Sequence, residues 1–163
     1  MTFENPAPVP RRLRPGKGAV VVEVPFRVPF HDVDTMRVAW HGNYFKYFEY
    51  GRTALERRLD LEIPTLEAFG YVFPVIESHC RHLSPLRFDD EARVRAWVAG
   101  ADRKLTVGYE VFNDTTGLRA AEGSTVQVAL KAGTFELQME IPDEVLDRVR
   151  RVLGAAPGIR GPR

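Results

Sequence analysis

The apolar residues of this chain change their spacing from one region to the next. Tyr44, Phe48, Gly51, Leu55 and Leu59 fall at intervals of four, three, four and four, which predicts one helix with a single face against a core. Asn43 is the expected N-cap by residue type, the helix should run to about Asp60, and Pro64 stops any continuation. Gly51 on the buried stripe costs roughly 1 kcal/mol of helix propensity relative to Ala, which a close approach of helix to sheet would explain. Before this helix, AVVVEVPFRVPF from Ala19 to Phe30 is β-branched and reads as a strand bent or edged by Pro25 and Pro29.

Beyond the helix, Thr65 to Phe69 suggests a short helical turn, and Gly70 opens the strand-like run YVFPVIESHCRHL. Arg93 to Gly100, Lys104 to Asn113 and Ala120 to Lys131 follow as strands, with period two at Leu105, Val107, Tyr109 and Val111 and again at Val126, Val128 and Leu130. Asp114-Thr115-Thr116-Gly117 is turn chemistry, so the last two of these should form an antiparallel hairpin. Pro142 followed by DEVLDRVRRVLG predicts a short C-terminal helix with acids early and arginines late, as the helix dipole prefers.

The order of elements is strand, long helix, then four strands, without the strand-helix alternation of a parallel sheet. The expected class is α+β: one long central helix wrapped by an antiparallel sheet of about five strands, with a short C-terminal helix. Residues 1–18 hold four prolines and four basic residues and read as a flexible arm, 19–153 as the single domain, and 154–163 as a frayed tail. A single sheet over one helix leaves an outer face that needs water or a partner, so a homodimer or larger assembly such as a homotetramer is expected.

Composition narrows the function classes. A chain of 163 residues with 44% hydrophobic content can build one core. Its formal charge of +1 supplies no field for nucleic acid or an anionic membrane, so neither is an expected partner. Cys80 is the single cysteine and cannot form an internal disulfide, there is no apolar signal-peptide core, and no run reaches the roughly 18 apolar residues of a membrane span. A cytoplasmic protein is the expectation.

Among motifs, no P-loop, G-x-G-x-x-G, G-x-S-x-G or H-E-x-x-H is present. His31, Asp32, Asp34 and His41 are metal-ligand types, but their spacing fits no standard zinc frame, so no metal is assigned. A carboxylate at the mouth of a helix, beside N–H groups able to hold an oxyanion, is a minimal device for acyl transfer to water, and Asp34 has that position in sequence. His41, seven residues on, could orient a water, the acid or the substrate. The alternative for Asp32 or Asp34 is a turn residue whose side chain bonds local backbone. Glu49 and Arg52 read as a structural pair on one helix face.

The pattern D-x-D-x-x-x-V-x-x-H-x-N-Y, then x-x-x-F-E-x-x-R, stands here as Asp32, Asp34, Val38, His41, Asn43, Tyr44, Phe48, Glu49 and Arg52. It resembles the signature of hotdog-fold thioesterases of the 4-hydroxybenzoyl-CoA thioesterase and YbgC-like type, over some twenty residues, and the strand order agrees through about Lys131. The resemblance implies Asp34 as the catalytic carboxylate, nucleophile or general base, with His41 positioning substrate or water and helix amides polarising the thioester carbonyl. It implies an acyl-CoA or acyl-carrier-protein thioester as substrate, with CoA or phosphopantetheine entering only as part of that substrate and no cofactor.

Two positions depart from the family pattern. Arg37 replaces a glycine usual three residues after the acid and could narrow the pocket or contact the carrier. Phe30 replaces a common tyrosine and removes a hydroxyl. Trp40 and Tyr44, with Phe45 and Tyr47, are candidates to line an acyl pocket, and packing explains these aromatics equally. Arg81, Arg87, Arg103 and Lys104 are candidates for CoA phosphates by their strand-end positions. Two other readings stay open on the same fold: a dehydratase or hydratase, and a non-catalytic acyl-thioester binding protein in which Arg37 and Phe30 mark lost activity.

Overall fold

In the computed structural model, which describes residues 14–16, 19–153 and 159, the apolar stripe forms helix α1, Asn43–Leu59. All five stripe positions are buried, and Tyr47 joins them. A Cβ at Gly51 would lie 3.0 Å from the Ala96 Cβ and 3.2 Å from Val94 Cγ2, so glycine here lets the helix press onto the sheet. Gly51→Leu should cost about 3 kcal/mol by overpacking, read as a lower denaturant midpoint.

The N-cap differs from expectation. Gly42 occupies it without a side-chain cap, and Asn43 is the first helical residue. The Asn43 amide instead donates to the Asp32 carbonyl at 2.9 Å, tying the helix start to the preceding loop. At the other end Asp60 takes the left-handed conformation with φ 54°, and its N–H reaches the Glu56 and Arg57 carbonyls.

Five strands form one antiparallel sheet: β1 Val22–Arg27, β3 Val75–His82, β4 Glu91–Ala101, β5 Leu105–Asn113 and β6 Leu118–Gln127. Their order is β1-β4-β5-β6-β3, so β1 and β3 are the edges. The β5–β6 pairing is the hairpin that the Asp114 to Gly117 turn predicts. Pro25 is tolerated because β1 is an edge. Alternate residues Ala92, Val94 and Ala96 of β4 are buried in the core with Val107, Tyr109 and Val111 of β5, and Phe48 of α1 stacks on Tyr109 at 4.5 Å between centroids.

Two predicted strands prove to be broken. The run after Gly70 divides into β2, Tyr71–Val72, and β3, while the run to Lys131 divides into β6 and β7, Leu130–Lys131. Pro74 has no N–H to continue a ladder. Both breaks fall at the level where Val75 faces Gln127, and beyond it β2 and β7 pair as a separate ribbon. Helix α2, Ile63–Ala68, with Pro64 in its first turn, lies against β2.

Helix α3, Asp143–Leu153, follows Pro142 and buries Val145, Leu146 and Val149. Of the segment after it only Ile159 is described, and it bridges to Ala101 and packs on the core. The rest of the proposed tail, and the proposed arm apart from residues 14–16, lie outside the described residues. No described helix is long and apolar enough to cross a membrane.

Candidate active site

Between β1 and α1 the chain makes a 3-10 turn at Phe30–Asp32 and then a tight loop closed by a bridge between Val33 and Ala39. The two carboxylates of this loop have opposite environments. Asp32 is 2% exposed; Tyr47 Oη donates to its Oδ2 at 2.9 Å, Lys46 Nζ donates to Oδ1, and His31 Nε2 lies 3.6 Å away. Burial first, and then the bond to Asp32, hold the Tyr47 phenol far above the ordinary tyrosine range. Asp32 is thus a structural anchor.

Asp34 is half-buried and lines an open groove of about 300 Å³ at the start of α1. Its Oδ1 accepts the Met36 N–H at 2.8 Å, and Arg37 N–H donates to the Asp34 carbonyl at 2.9 Å. The turn-forming alternative is therefore realised in one oxygen, while Oδ2 has no partner among the described residues. A carboxylate oriented through one oxygen with the other free suits either attack on a carbonyl or capture of a water proton.

The same groove is lined by Val38, His41, Tyr44 and His82. His41 is exposed, and its carbonyl faces His82 Nε2 at 3.3 Å. Tyr44 is buried, with its ring 4.6 Å from the His82 imidazole at 89°. The first amides of α1 are weakly occupied. Tyr44 and Phe45 N–H make long bonds of 3.4 and 3.3 Å to the His41 and Gly42 carbonyls, and the Gly42 N–H has no acceptor among the described residues. The Trp40 indole lies across Gly42, where a Cβ would come within 2.1 Å of the ring, and beside His41 at 4.9 Å between centroids.

Other predicted site residues are placed differently. Trp40 is half exposed and sits at the corner beside the groove, not in its lining. Phe30 is 78% exposed, packs edge-on against Phe88 and does not line the groove. Arg37 is exposed, does not line the groove, and holds φ 63°, a conformation in which glycine is ordinary. The left-handed region costs a non-glycine residue about 1–2 kcal/mol, partly offset by glycine's greater unfolded freedom. Arg37→Gly should raise the melting temperature by about 2 °C and Arg37→Ala should not, in thermal scans.

The four basic candidates are not gathered into one phosphate cradle within the chain. Arg81 is paired with Glu122 at 3.3 Å. Arg81, next to His82 at the end of β3, and Arg87, in the loop before β4, are at the Asp34 end of the sheet, where Arg27 of β1 pairs with Glu91. Arg103 and Lys104 lie past Ala101 at the far end, and Lys104 bonds Glu77 at 3.3 Å. Glu49 and Arg52 form the expected pair. Burial pushes the Cys80 thiol up to about 12, which leaves it inert beside His82 at 3.5 Å. Among the described residues no three of His, Cys, Asp or Glu converge as a metal site requires.

His82 was not anticipated from sequence. It ends a strand whose partner in the groove is 41 residues away, and no local spacing links the two.

Comparison with known proteins gives a consistent family. A profile described as the Thioesterase-like superfamily matches residues 28–149. YneP of Bacillus subtilis strain 168, provisionally named an acyl-CoA thioesterase, is 31% identical over 87 residues, covering 53% of this chain and 63% of YneP. A protein of Aquifex aeolicus strain VF5, provisionally named an esterase, is 28% identical over 74% of this chain and 91% of its own length. Among solved structures, a DHNA-CoA thioesterase from Staphylococcus aureus superposes with a TM-score of 0.70 at 26% identity, covering 80% of this chain and 91% of that one. The helix and five-stranded sheet are the hotdog architecture of these enzymes.

Proposed function

This chain belongs to the thioesterase-like superfamily, and from that premise we propose that it hydrolyses acyl thioesters of coenzyme A or an acyl carrier protein, with Asp34 as the reacting carboxylate. The observation that carries the reading is the Asp34 side chain itself, fixed through Oδ1 by Met36 and open at Oδ2 in a groove shared with His41 at the start of α1. Along the base route Asp34 takes a proton from water, the hydroxide adds to the thioester carbon, and the C–S bond breaks to release the thiolate, to which the proton returns. Along the nucleophilic route Oδ2 adds to the same carbon, the thiolate leaves, and water opens the resulting anhydride. In either, the oxyanion is stabilised by N–H groups at the α1 mouth, Gly42 foremost because no other acceptor holds it.

The position of Arg37 supports an active enzyme over a binding protein. Its left-handed backbone keeps the loop in the form that glycine would give, so the departure in sequence leaves Asp34 in place. The discriminating experiment is thiol release from a panel of CoA and carrier-protein thioesters, beside reversible hydration of an enoyl-CoA. Thiol release without hydration supports hydrolysis. Hydration without thiol release would replace it with the dehydratase reading, and neither, with thioester binding retained, with the binding protein.

The assembly proposed with this function is a dimer through β3. That strand is a free edge of eight residues with Ile76, Glu77, Ser78 and His79 exposed, which is a template for pairing. His82 at its end lines the Asp34 groove, and Pro74 just before its start lines a cavity of about 450 Å³. Antiparallel pairing of two β3 strands sets the end of one against the start of the other, so each acid would face its partner's cavity. A dimer in sedimentation that Ser78→Pro converts to monomer, with loss of thiol release, is the expected result; an active monomer would refute it.

A further inference from the structure

Between the Asp34 loop and the body of α1 the chain turns through Trp40, His41, Gly42 and Asn43. The Asn43 N–H donates to the Trp40 carbonyl at 2.9 Å, which closes a β-turn with His41 and Gly42 at its centre. Both ends of the turn are tied to one acceptor: the Trp40 N–H and the Asn43 side-chain amide donate to the Asp32 carbonyl at 2.8 and 2.9 Å. None of these bonds involves the peptide unit that joins His41 to Gly42. That unit stands across the turn and can rotate while the ends stay in place, which is the difference between a type I and a type II turn.

The two forms make opposite demands on Gly42. Type I needs a right-handed residue there, and type II a positive φ that glycine holds without strain. Gly42 has φ −66° and ψ −26°, so the turn is of the first kind. Glycine is required here for a separate reason, since a Cβ would strike the Trp40 indole. The residue that makes room for Trp40 thus leaves the central peptide able to flip. Its direction matters for the chemistry, because a trans peptide points its C=O and N–H opposite ways. With the His41 carbonyl facing along α1 toward the Tyr44 N–H, the Gly42 N–H points out of the helix mouth. A flip would set the carbonyl oxygen there instead, where it would repel an oxyanion.

The His41 carbonyl is held in its present direction from two sides. The Tyr44 N–H of α1 donates to it at a long 3.4 Å. From the sheet, His82 Nε2 lies 3.3 Å away. A carbonyl only accepts, so Nε2 carries the hydrogen in this contact. The imidazole is itself fixed, at the end of β3 opposite Ala121 and edge-on to the Tyr44 ring at 4.6 Å. The Cys80 sulfur, 3.5 Å from the same nitrogen, belongs to a thiol that burial keeps protonated and is the weaker acceptor of the two.

Resting on the thioesterase reading above, we propose that His82 is a positioning residue for hydrolysis: by donating to the His41 carbonyl it keeps the central peptide of the turn in the form whose Gly42 N–H meets the oxyanion. It acts through that peptide and not on the substrate. The same bond polarises the peptide, which makes the Gly42 N–H a stronger donor.

The test uses three variants of an exposed residue. His82→Phe keeps a ring against Tyr44 and removes the donor, His82→Leu removes both, and His82→Gln restores a donor of similar reach. In His82→Phe and His82→Leu, kcat for thiol release should fall about five- to tenfold with KM within about twofold of wild type, since only molecules in the competent turn react. His82→Gln should recover most of kcat. Nuclear magnetic resonance of the isotope-labelled protein without substrate reads the turn itself. The Gly42 amide resonance, and its couplings to the two α hydrogens, which report φ, should move in His82→Phe and return in His82→Gln.

Wild-type kcat and wild-type Gly42 signals in a folded His82→Phe or His82→Leu overturn the proposal. So does an effect confined to KM, which would make His82 a substrate contact, or a fall in kcat with unmoved Gly42 signals, which would make it an acid or base. Gly42 signals that depend on His82 with no thioester hydrolysed leave the turn device standing and remove the activity. Hydrolysis indifferent to His82 removes the device and leaves the activity. Neither hydrolysis nor a His82-dependent turn removes both.

Discussion

Asp34→Asn should reduce thiol release by about 10²- to 10⁴-fold if the carboxylate is a general base, and by more if it is the nucleophile. The substitution is chosen because it preserves the loop. An asparagine Oδ1 still accepts the Met36 N–H, so the bond at 2.8 Å that orients the side chain survives. What disappears is the charge and basicity of Oδ2. The loss should therefore fall on kcat, with KM and melting temperature close to wild type, because substrate contacts along the groove from Val38, Tyr44 and His82 are untouched. His41→Ala should show a smaller fall, since an exposed imidazole can position but does not hold the reacting bond. Turnover like that of the wild type in Asp34→Asn would end the assignment of Asp34, and with it the mechanism.

How much of this was legible in the sequence follows from what periodicity can encode. The 3.6-residue stripe from Tyr44 to Leu59 and the alternation from Leu105 to Val111 are local patterns, and both elements lie where they were expected. The place of β3 was not readable. It pairs with β6 and not with its sequence neighbour β4, a non-local choice that leaves it an edge. The expected strand after Gly70 runs straight through Pro74, whose missing donor is a signal for one break, whereas the break between Gln127 and Leu130 has neither proline nor glycine to mark it. The expected cap failed for a related reason: Asn43 has the chemistry of a cap, but a carbonyl of Asp32 brought near by the loop claims its amide.

The site shows the same division. The motif placed Asp34, His41 and Tyr44 together, and they do share the groove. His82 reaches the groove only through the pairing of β3 in the sheet, so it had no local signal. The four basic residues chosen as strand ends divide into two pairs, because strands end at both ends of a sheet about 33 Å long by the rise of eleven residues. Asp32 and Asp34 are the same residue type two positions apart; the family pattern singled out Asp34 for the proposed chemistry, whereas the anchoring of Asp32 became visible only through its burial against Tyr47 and Lys46.

That distinction yields the second large effect: Asp32→Ala should destabilise the fold by about 3 kcal/mol and lower the melting temperature by about 6–12 °C. Removing the carboxylate leaves the buried Tyr47 hydroxyl without its acceptor, a cost of about 1–3 kcal/mol for a neutral group. It also strips Lys46 of its ion pair. Lys46 is 36% exposed, so its ammonium can turn to water and its share is modest, which is why the total stays below that of a fully enclosed charge. Asp32→Asn should fall between, since the amide oxygen still accepts from Tyr47 but carries no charge. Tyr47→Phe in the Asp32→Ala background should recover part of the loss by removing the orphaned hydroxyl. Assayed well below its melting temperature, Asp32→Ala should keep thiol release within about tenfold of wild type, because the groove, Oδ2 of Asp34 and the Gly42 N–H are all retained. The opposite outcome, full stability with activity abolished, would exchange the roles of the two carboxylates and make Asp32, reached through Lys46 and Tyr47, the group that does the chemistry.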